Sequence, residues 1–236
     1  MNRPFSLIHI LKALVNVFPF LGITFAVVFG TIIFGILFSI LLAKWKLSKN
    51  KFAHCFASAY INALRCTPAI VLLFIVFYGL PKFVLVVFNV NINFWPKIIF
   101  VVISLSLLYS ASLAEIFRSA YESIGKGQYE AAISIGLSPM QAMCRIVIPQ
   151  AFVTALPNLG NSLISLLKEG SLAYTIGLVD IMGAGNLYIS RNFGGYAIET
   201  YIALAIIYWT LTVLIEKGFG GLEKNLSKGK SNAVKY

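Results

Sequence analysis

The stretch Gly127–Ala151, "GQYEAAISIGLSPMQAMCRIVIPQA", holds two glycines, two prolines and two charged residues between neighbours that are almost wholly apolar. Glu130, Ala131 and Ala132 are good helix formers. Gly136 follows them, where a helix ends in the left-handed region that glycine favours. "SPMQ" then restarts a helix. Ser138 caps it, Pro139 fits its first position, and Gln141 completes a capping box. Pro149 is expected to break or bend the chain before the next apolar run. The stretch therefore reads as two short helices at an angle, joined by a glycine hinge. An ordinary loop, an amphipathic element resting on a membrane and a docking knob for a soluble partner all fit this local pattern.

The neighbours decide the fold class. The chain has 236 residues, of which 59% are hydrophobic and only 11% charged, with a mean hydropathy of +0.86. A soluble domain needs a more polar surface. The apolar residues come in continuous runs near the length that spans a bilayer as a helix, rather than alternating as in a β-barrel. An all-α polytopic membrane protein with five transmembrane helices is expected. The spans are placed at about 16–43, 52–80 (interrupted by "NALRCTP"), 97–117, 152–167 (containing Pro157) and 196–215. The first apolar run is too long for a signal peptide and reads as a retained helix. Residues 1–225 read as one transmembrane domain, and 226–236 as a frayed basic tail.

The net charge of +11 is explained by cytoplasmic basic loops without a nucleic-acid partner. Placing the first loop inside gives that side twelve Lys and Arg, against six on the other. That predicts N-terminus out, C-terminus in, and segment 127–149 in the cytoplasm. Trp45 and Trp95 fall at span ends, where the headgroup layer favours them, and mid-span Trp209 is expected to pack. Cys55, Cys66 and Cys144 have neither disulfide-framework nor zinc spacing. His9 and His54 stand alone, and no metal site is expected. "GKS" at 229–231 lacks the upstream glycine of a P-loop, and "GAGNLYISRNFGG" follows no strand, so neither is a nucleotide site.

Glu130, Ala131, Ala132, Gly136, Ile146 and Pro149, with Ile148 in place of Leu, match the spacing EAA-x3-G-x9-I-x-L-P. This resembles the EAA signature of ABC-importer permeases. "RCTPAIVLLFIVFYGLP", "AEIFRSAYESIGKGQYEAA" and "IVIPQAFVTALPNLGNSLISLLKEGSLAYTIG" extend the likeness to the polar amino-acid permeases, from Arg65 to about Gly177. "LKEGSLAYTIGLVDIMG" and "IEKGFGGLEKNLSK" look most like the cystine-type members. The resemblance implies the type I importer permease fold. It also implies that Glu130, Ala131, Ala132, Gly136, Ser138, Pro139, Ile146 and Pro149 form the coupling segment that docks on a separate ATPase. Cys66, Ser119 and Glu169-Gly170 depart from the family's Gly, Gly and Asp-Thr. The first two backbones are not expected to need left-handed angles.

Ionisable and polar groups inside spans are expensive. Arg65 and Glu115 are candidates to line the pathway, Arg65 for a substrate carboxylate and Glu115 for an amine. Pairing with each other is the competing role. Asn161, Ser162 and Ser165 recur at helical spacing and suit either a polar route or close helix packing. Lys168, Glu169 and Asp180 are placed in an exposed outer loop of mixed charge.

The resulting expectation is a transmembrane permease subunit of an ATP-driven importer for polar L-amino acids, cystine or a related sulfur amino acid first among them. The chain is not itself an enzyme and binds no cofactor, ATP and Mg belonging to the partner ATPase. The implied partners are ABC ATPase subunits, an extracytoplasmic substrate-binding protein, a second permease (a copy or a paralogue) and the lipid bilayer of a bacterial cell membrane. An ATP-independent secondary transporter or channel is the alternative. It predicts an internal repeat, and none is visible. A membrane enzyme predicts clustered acidic or His residues, and eight acidic residues with two scattered His form no such cluster.

Overall fold

A computed structural model describes residues 5–231. Its elements are all helical: α1 (Leu7–Val17), α2 (Leu21–Lys46), α3 (Lys51–Cys66), α4 (Ala69–Phe74), α5 (Leu80–Phe88), α6 (Lys97–Glu122), α7 (Lys126–Ser134), α8 (Pro139–Ala142), α9 (Ile148–Gly170), α10 (Ile181–Arg191) and α11 (Ala197–Ser231). Short 3-10 or π turns join several of them. Among the described residues, five helical segments are long and apolar enough to cross a membrane: Leu7–Lys46, Ala69–Phe88, Lys97–Glu122, Pro139–Ile176 and Ala197–Ser227.

The second span differs from its expected bounds. Pro68 forces Thr67 into extended backbone at φ −90°, ψ 125°, so α3 stops at Cys66 and the spanning helix begins at Ala69. Asn50 starts α3 by accepting a hydrogen bond from the Phe52 N–H at 3.0 Å. Three further expectations are corrected. Of the two outcomes expected at Pro149, the break does not occur: the π turn Met143–Val147, a feature that bends helices, absorbs the missing donor, and the helix continues from Pro139 to Ile176. Trp209 is 69% exposed and faces outward instead of packing. Helix α11 continues to Ser231, through the first residues of the expected frayed tail; the rest, 232–236, lies outside the described residues.

Helices α2 and α6 run parallel. A Cβ on Gly35 would meet the Tyr109 ring at 2.7 Å, so only glycine permits this approach, and Lys46 meets Glu115 further down. Chain segment α3 to α5 returns antiparallel, with the Tyr60 hydroxyl donating to the Leu107 carbonyl at 3.2 Å and Leu72 and Val76 reaching Phe100. Helix α9 is antiparallel to α6: Ala151 and Ala155 pack on Ala120, while Ala173 and Ile176 join the Val101–Leu105 end. Helix α11 descends beside α9, with Phe219 against Gly160. The main core lies between α2, α6 and α9 around Val27, Val101, Leu105, Leu113 and Leu166. The far ends of α2, α6 and α11 therefore share one side of the bundle with α7 and α8, and α1 lies on the other.

Candidate functional site

Two features stand out, a polar cleft inside the bundle and the exposed segment at its end. The cleft encloses about 180 Å³. One wall is the α3–α4 break, with Arg65 and Thr67; the second is α6, with Tyr109 and Ser112; the third is α9, with Ser162, Ser165 and Glu169. Leu64, Leu108 and Leu166 supply apolar lining. The break in the second span places Arg65 in the last turn of α3, where the helix dipole favours a cation. Thr67 donates its hydroxyl hydrogen to the Ala63 carbonyl at 2.8 Å, occupying an acceptor the break leaves free.

The structure brings Arg65, Ser162 and Ser165 together and leaves two other candidates out. Asn161 is exposed and is not part of the lining. Glu115 is not paired with Arg65, which corrects that expectation. It sits one turn or more towards the α7 side, accepting from Lys46 Nζ at 2.9 Å and from the Arg118 guanidinium. Arg118 also holds Glu122. The cluster neutralises itself, and Lys46 and Arg118 compete with any substrate amine for Glu115.

The exposed-loop placement of Glu169 and Asp180 is likewise corrected. Glu169 is helical, one turn after Ser165 on the same face, and the spacing from Ser162 through Ser165 to Glu169 pointed to it once the helix continued past Leu167. Asp180 is 1% exposed and caps α10, accepting from the Gly183 N–H at 2.9 Å. Burial, which disfavours the charged form, pushes its carboxyl up to about 6. Tyr109 and Ser112 gave no signal in the sequence, because only the crossing with α9 turns them to the cleft. Cys66 and Ser119 adopt no left-handed angles, as expected.

The segment between α6 and α9 forms the turn its sequence implied. Gly136 has φ +91°. Its N–H donates to the Ile133 carbonyl at 2.9 Å and the Leu137 N–H to the Ala132 carbonyl at 3.2 Å, the paired bonds of a Schellman motif. Ser138 and Gln141 form the reciprocal capping box. Ala132 and Ala142 are buried at the corner, while Glu130, Ile135, Pro139 and Met140 project outward. Ile135 at 80% and Met140 at 72% exposure leave an apolar tip with no intramolecular cover. Ile146 and Pro149 lie in the join to α9, within the unbroken helix.

Among the described residues no group of three or more His, Cys, Asp or Glu could hold a metal ion. The three cysteines are free and exposed.

Five apolar helices, a polar cleft within them and a capped knob beyond them describe a solute permease. Residues 35–228 match the family model for the binding-protein-dependent transport system inner membrane component. The chain is 38% identical to the L-cystine transport system permease protein TcyL of Bacillus subtilis (strain 168), covering 91% of this chain and 89% of that one. It is 39% identical to the probable amino-acid permease protein YxeN of the same organism, over 82% and 84% of the two chains. Among solved structures, a chain of an amino acid ABC transporter crystallised with histidines superposes with a TM-score of 0.81 at 30% identity, over 94% of this chain and all of that one. The chain belongs to the binding-protein-dependent transport system inner membrane component family. It is an amino-acid ABC transporter permease subunit with the type I importer fold, a multi-pass protein of the bacterial cytoplasmic membrane.

Proposed function

We propose that the chain imports polar L-amino acids, cystine or a related sulfur amino acid first, by alternating access driven by a separate ATPase. Arg65 receives the substrate carboxylate and Glu169 its ammonium group, with Ser162 and Ser165 hydrogen-bonding along the route. The carrying observation is the meeting of Arg65 and Glu169 in one polar cleft. Opposite charges on two walls of one small polar cleft, an exposed Arg65 and a half-buried Glu169, match the two ends of a zwitterion. The cystine assignment draws on the likeness to TcyL.

The drive enters at the other end. Glu130, Ala131, Ala132, Gly136, Ser138 and Pro139 form the knob that a partner ATPase grips, and Ile146 and Pro149 connect it to the span. Because the helix from Pro139 to Ile176 is unbroken, a push on the knob is carried along α9 to Ser162, Ser165 and Glu169. ATP and Mg act in the partner. Closure of two ATPases moves two such knobs, one on each of a pair of permeases, identical or paralogous. The cleft then opens outward to a loaded binding protein and returns inward after hydrolysis. The twelve-to-six distribution of basic residues favours an N-terminus outside and a C-terminus inside.

The test is to purify the permease with its ATPase, add the binding protein and measure ATPase stimulation against a panel of amino acids. Stimulation by cystine above arginine, glutamine and methionine is expected. Failure of the ATPase to co-purify would remove the coupling role, and stimulation by another amino acid alone would remove the cystine assignment.

A further inference from the structure

Helix α1 is surplus to the first membrane crossing. The 26 residues of α2 measure about 39 Å at 1.5 Å per residue, more than the roughly 30 Å of hydrocarbon. Helix α1 adds 11 residues beyond it, separated by a 3-10 turn at Phe18–Phe20 that contains Pro19. That turn is a place where the helix direction can change.

Three faces divide α1 cleanly. Ile10, Ala13 and Val17 are buried against α10 and α11. His9, Lys12 and Asn16 form a polar strip, one helical turn apart. Leu7, Ile8, Leu11, Val15 and the following Phe18 form a third strip, each 63% to 73% exposed. Attachment is specific: the Ser6 N–H donates to Glu199 Oε1 at 3.1 Å, and His9 stacks on Tyr196 with ring centroids 3.4 Å apart.

We infer that α1 lies in the headgroup layer of the leaflet opposite the coupling knob, with its third strip resting on phospholipid acyl chains and Lys12 meeting lipid phosphate. Three observations select lipid as the occupant. The apolar strip continues without interruption into Phe25, Phe29, Ile33 and Leu37 of α2, the exposed stripe of a membrane span. His9 is bonded to the Tyr188 hydroxyl and Asn16 to the Lys12 carbonyl, which leaves the Lys12 ammonium as the group that disfavours the hydrocarbon core; the apolar strip disfavours open water, and the interface suits both. The exposed charges here, Lys12 and, on the neighbouring α10, Arg191, are cationic. Arg191 shares a small cleft of about 30 Å³ with Asn16 and Tyr188. The acidic neighbour, Glu199, is buried and turned to the Ser6 N–H.

Site-directed nitroxides at Leu11, Val15, Lys12 and Asn16, in the permease–ATPase complex with its cysteines replaced by serine, test this. The complex is reconstituted in phosphatidylethanolamine–phosphatidylglycerol vesicles. Labels at Leu11 and Val15 should be several-fold more accessible to oxygen than to a water-soluble nickel chelate, and those at Lys12 and Asn16 the reverse. The double variant L11E/V15E should make a label at Ile8 chelate-accessible while one at Phe29 stays protected, which separates detachment of α1 from unfolding. Free chelate access at Leu11 and Val15 in the unaltered helix would overturn the inference. So would shielding from both reagents, which means a second permease or the binding protein covers the strip.

Discussion

Lys46 Nζ and Glu115 Oε2 meet at 2.9 Å across the ends of the parallel helices α2 and α6. Arg118 grips the same carboxylate from the next turn. The contact ties two core helices together at the level where the chain leaves the membrane for the coupling segment. Glu115→Gln leaves two cations facing each other, and a loss of about 1–3 kcal/mol is expected. Thermal unfolding in detergent checks it. Lys46→Met should cost less, because Arg118 still holds Glu115. An unchanged midpoint for Glu115→Gln would remove the structural role assigned here.

Arg65 should behave in the opposite way. It belongs to the cleft and has no salt-bridge partner among the described residues. Arg65→Ala and Glu169→Gln are each expected to lower uptake by about 10–100-fold, the cost of one lost charged hydrogen bond. The unfolding midpoint and the basal ATPase rate of the complex should stay near their unaltered values. Uptake in proteoliposomes measured beside thermal unfolding separates the two roles.

Gly35 connects packing to the cleft. A methyl group there meets the Tyr109 ring at 2.7 Å, and Tyr109 lines the cleft. Gly35→Ala should push the ring from its place, with a stability loss of about 1–3 kcal/mol from overpacking and a raised KM for transport. Adding Tyr109→Ala should relieve the stability loss but not restore the KM.

At the knob, Gly136 has open space around its Cβ direction, so the constraint is its φ of +91° alone. Gly136→Asn should be tolerated with a cost below about 1 kcal/mol, whereas Gly136→Val should cost about 1–2 kcal/mol. Gly136→Pro also removes the N–H that bonds Ile133 and should release the ATPase. Glu130→Lys should weaken ATPase co-purification with membrane insertion intact. Normal association of both Gly136→Pro and Glu130→Lys would sink the docking assignment.

Asp180 gives a pH dependence outside the spans. Its carboxyl is raised from 3.8 to about 6, so the folded state binds the proton more tightly than the unfolded chain. The stabilisation is complete below about pH 4 and declines as pH rises to about 6, above which it is flat. A shift of this size corresponds to roughly 3 kcal/mol. Asp180→Asn keeps an acceptor for the Gly183 N–H and should flatten that part of the curve. Identical pH profiles for the two proteins would contradict the burial argument.

Much of this molecule was legible from composition and local pattern. Long apolar runs are a property of the chain alone, because a bilayer demands them whatever their neighbours. Gly136, Ser138 and Gln141 specify their turn through bonds within a few residues, so the knob and its match to the permease signature were readable directly. Ser162 and Ser165 were recognisable as costly polar groups within a span; Arg65 was singled out on the same ground, although α3 carries it ahead of the spanning helix that begins at Ala69. Their convergence with Tyr109, Ser112 and Glu169, the turn of Glu115 towards Lys46 and Arg118, and the passage of the helix through Pro149 were decided only in three dimensions. Each depends on which helices cross and at what level, and that is set by packing between residues far apart in the chain. Helix α1 shows the limit of that reading: it lies almost wholly ahead of the first expected span, and its three faces became distinct only when α10 and α11 covered one of them.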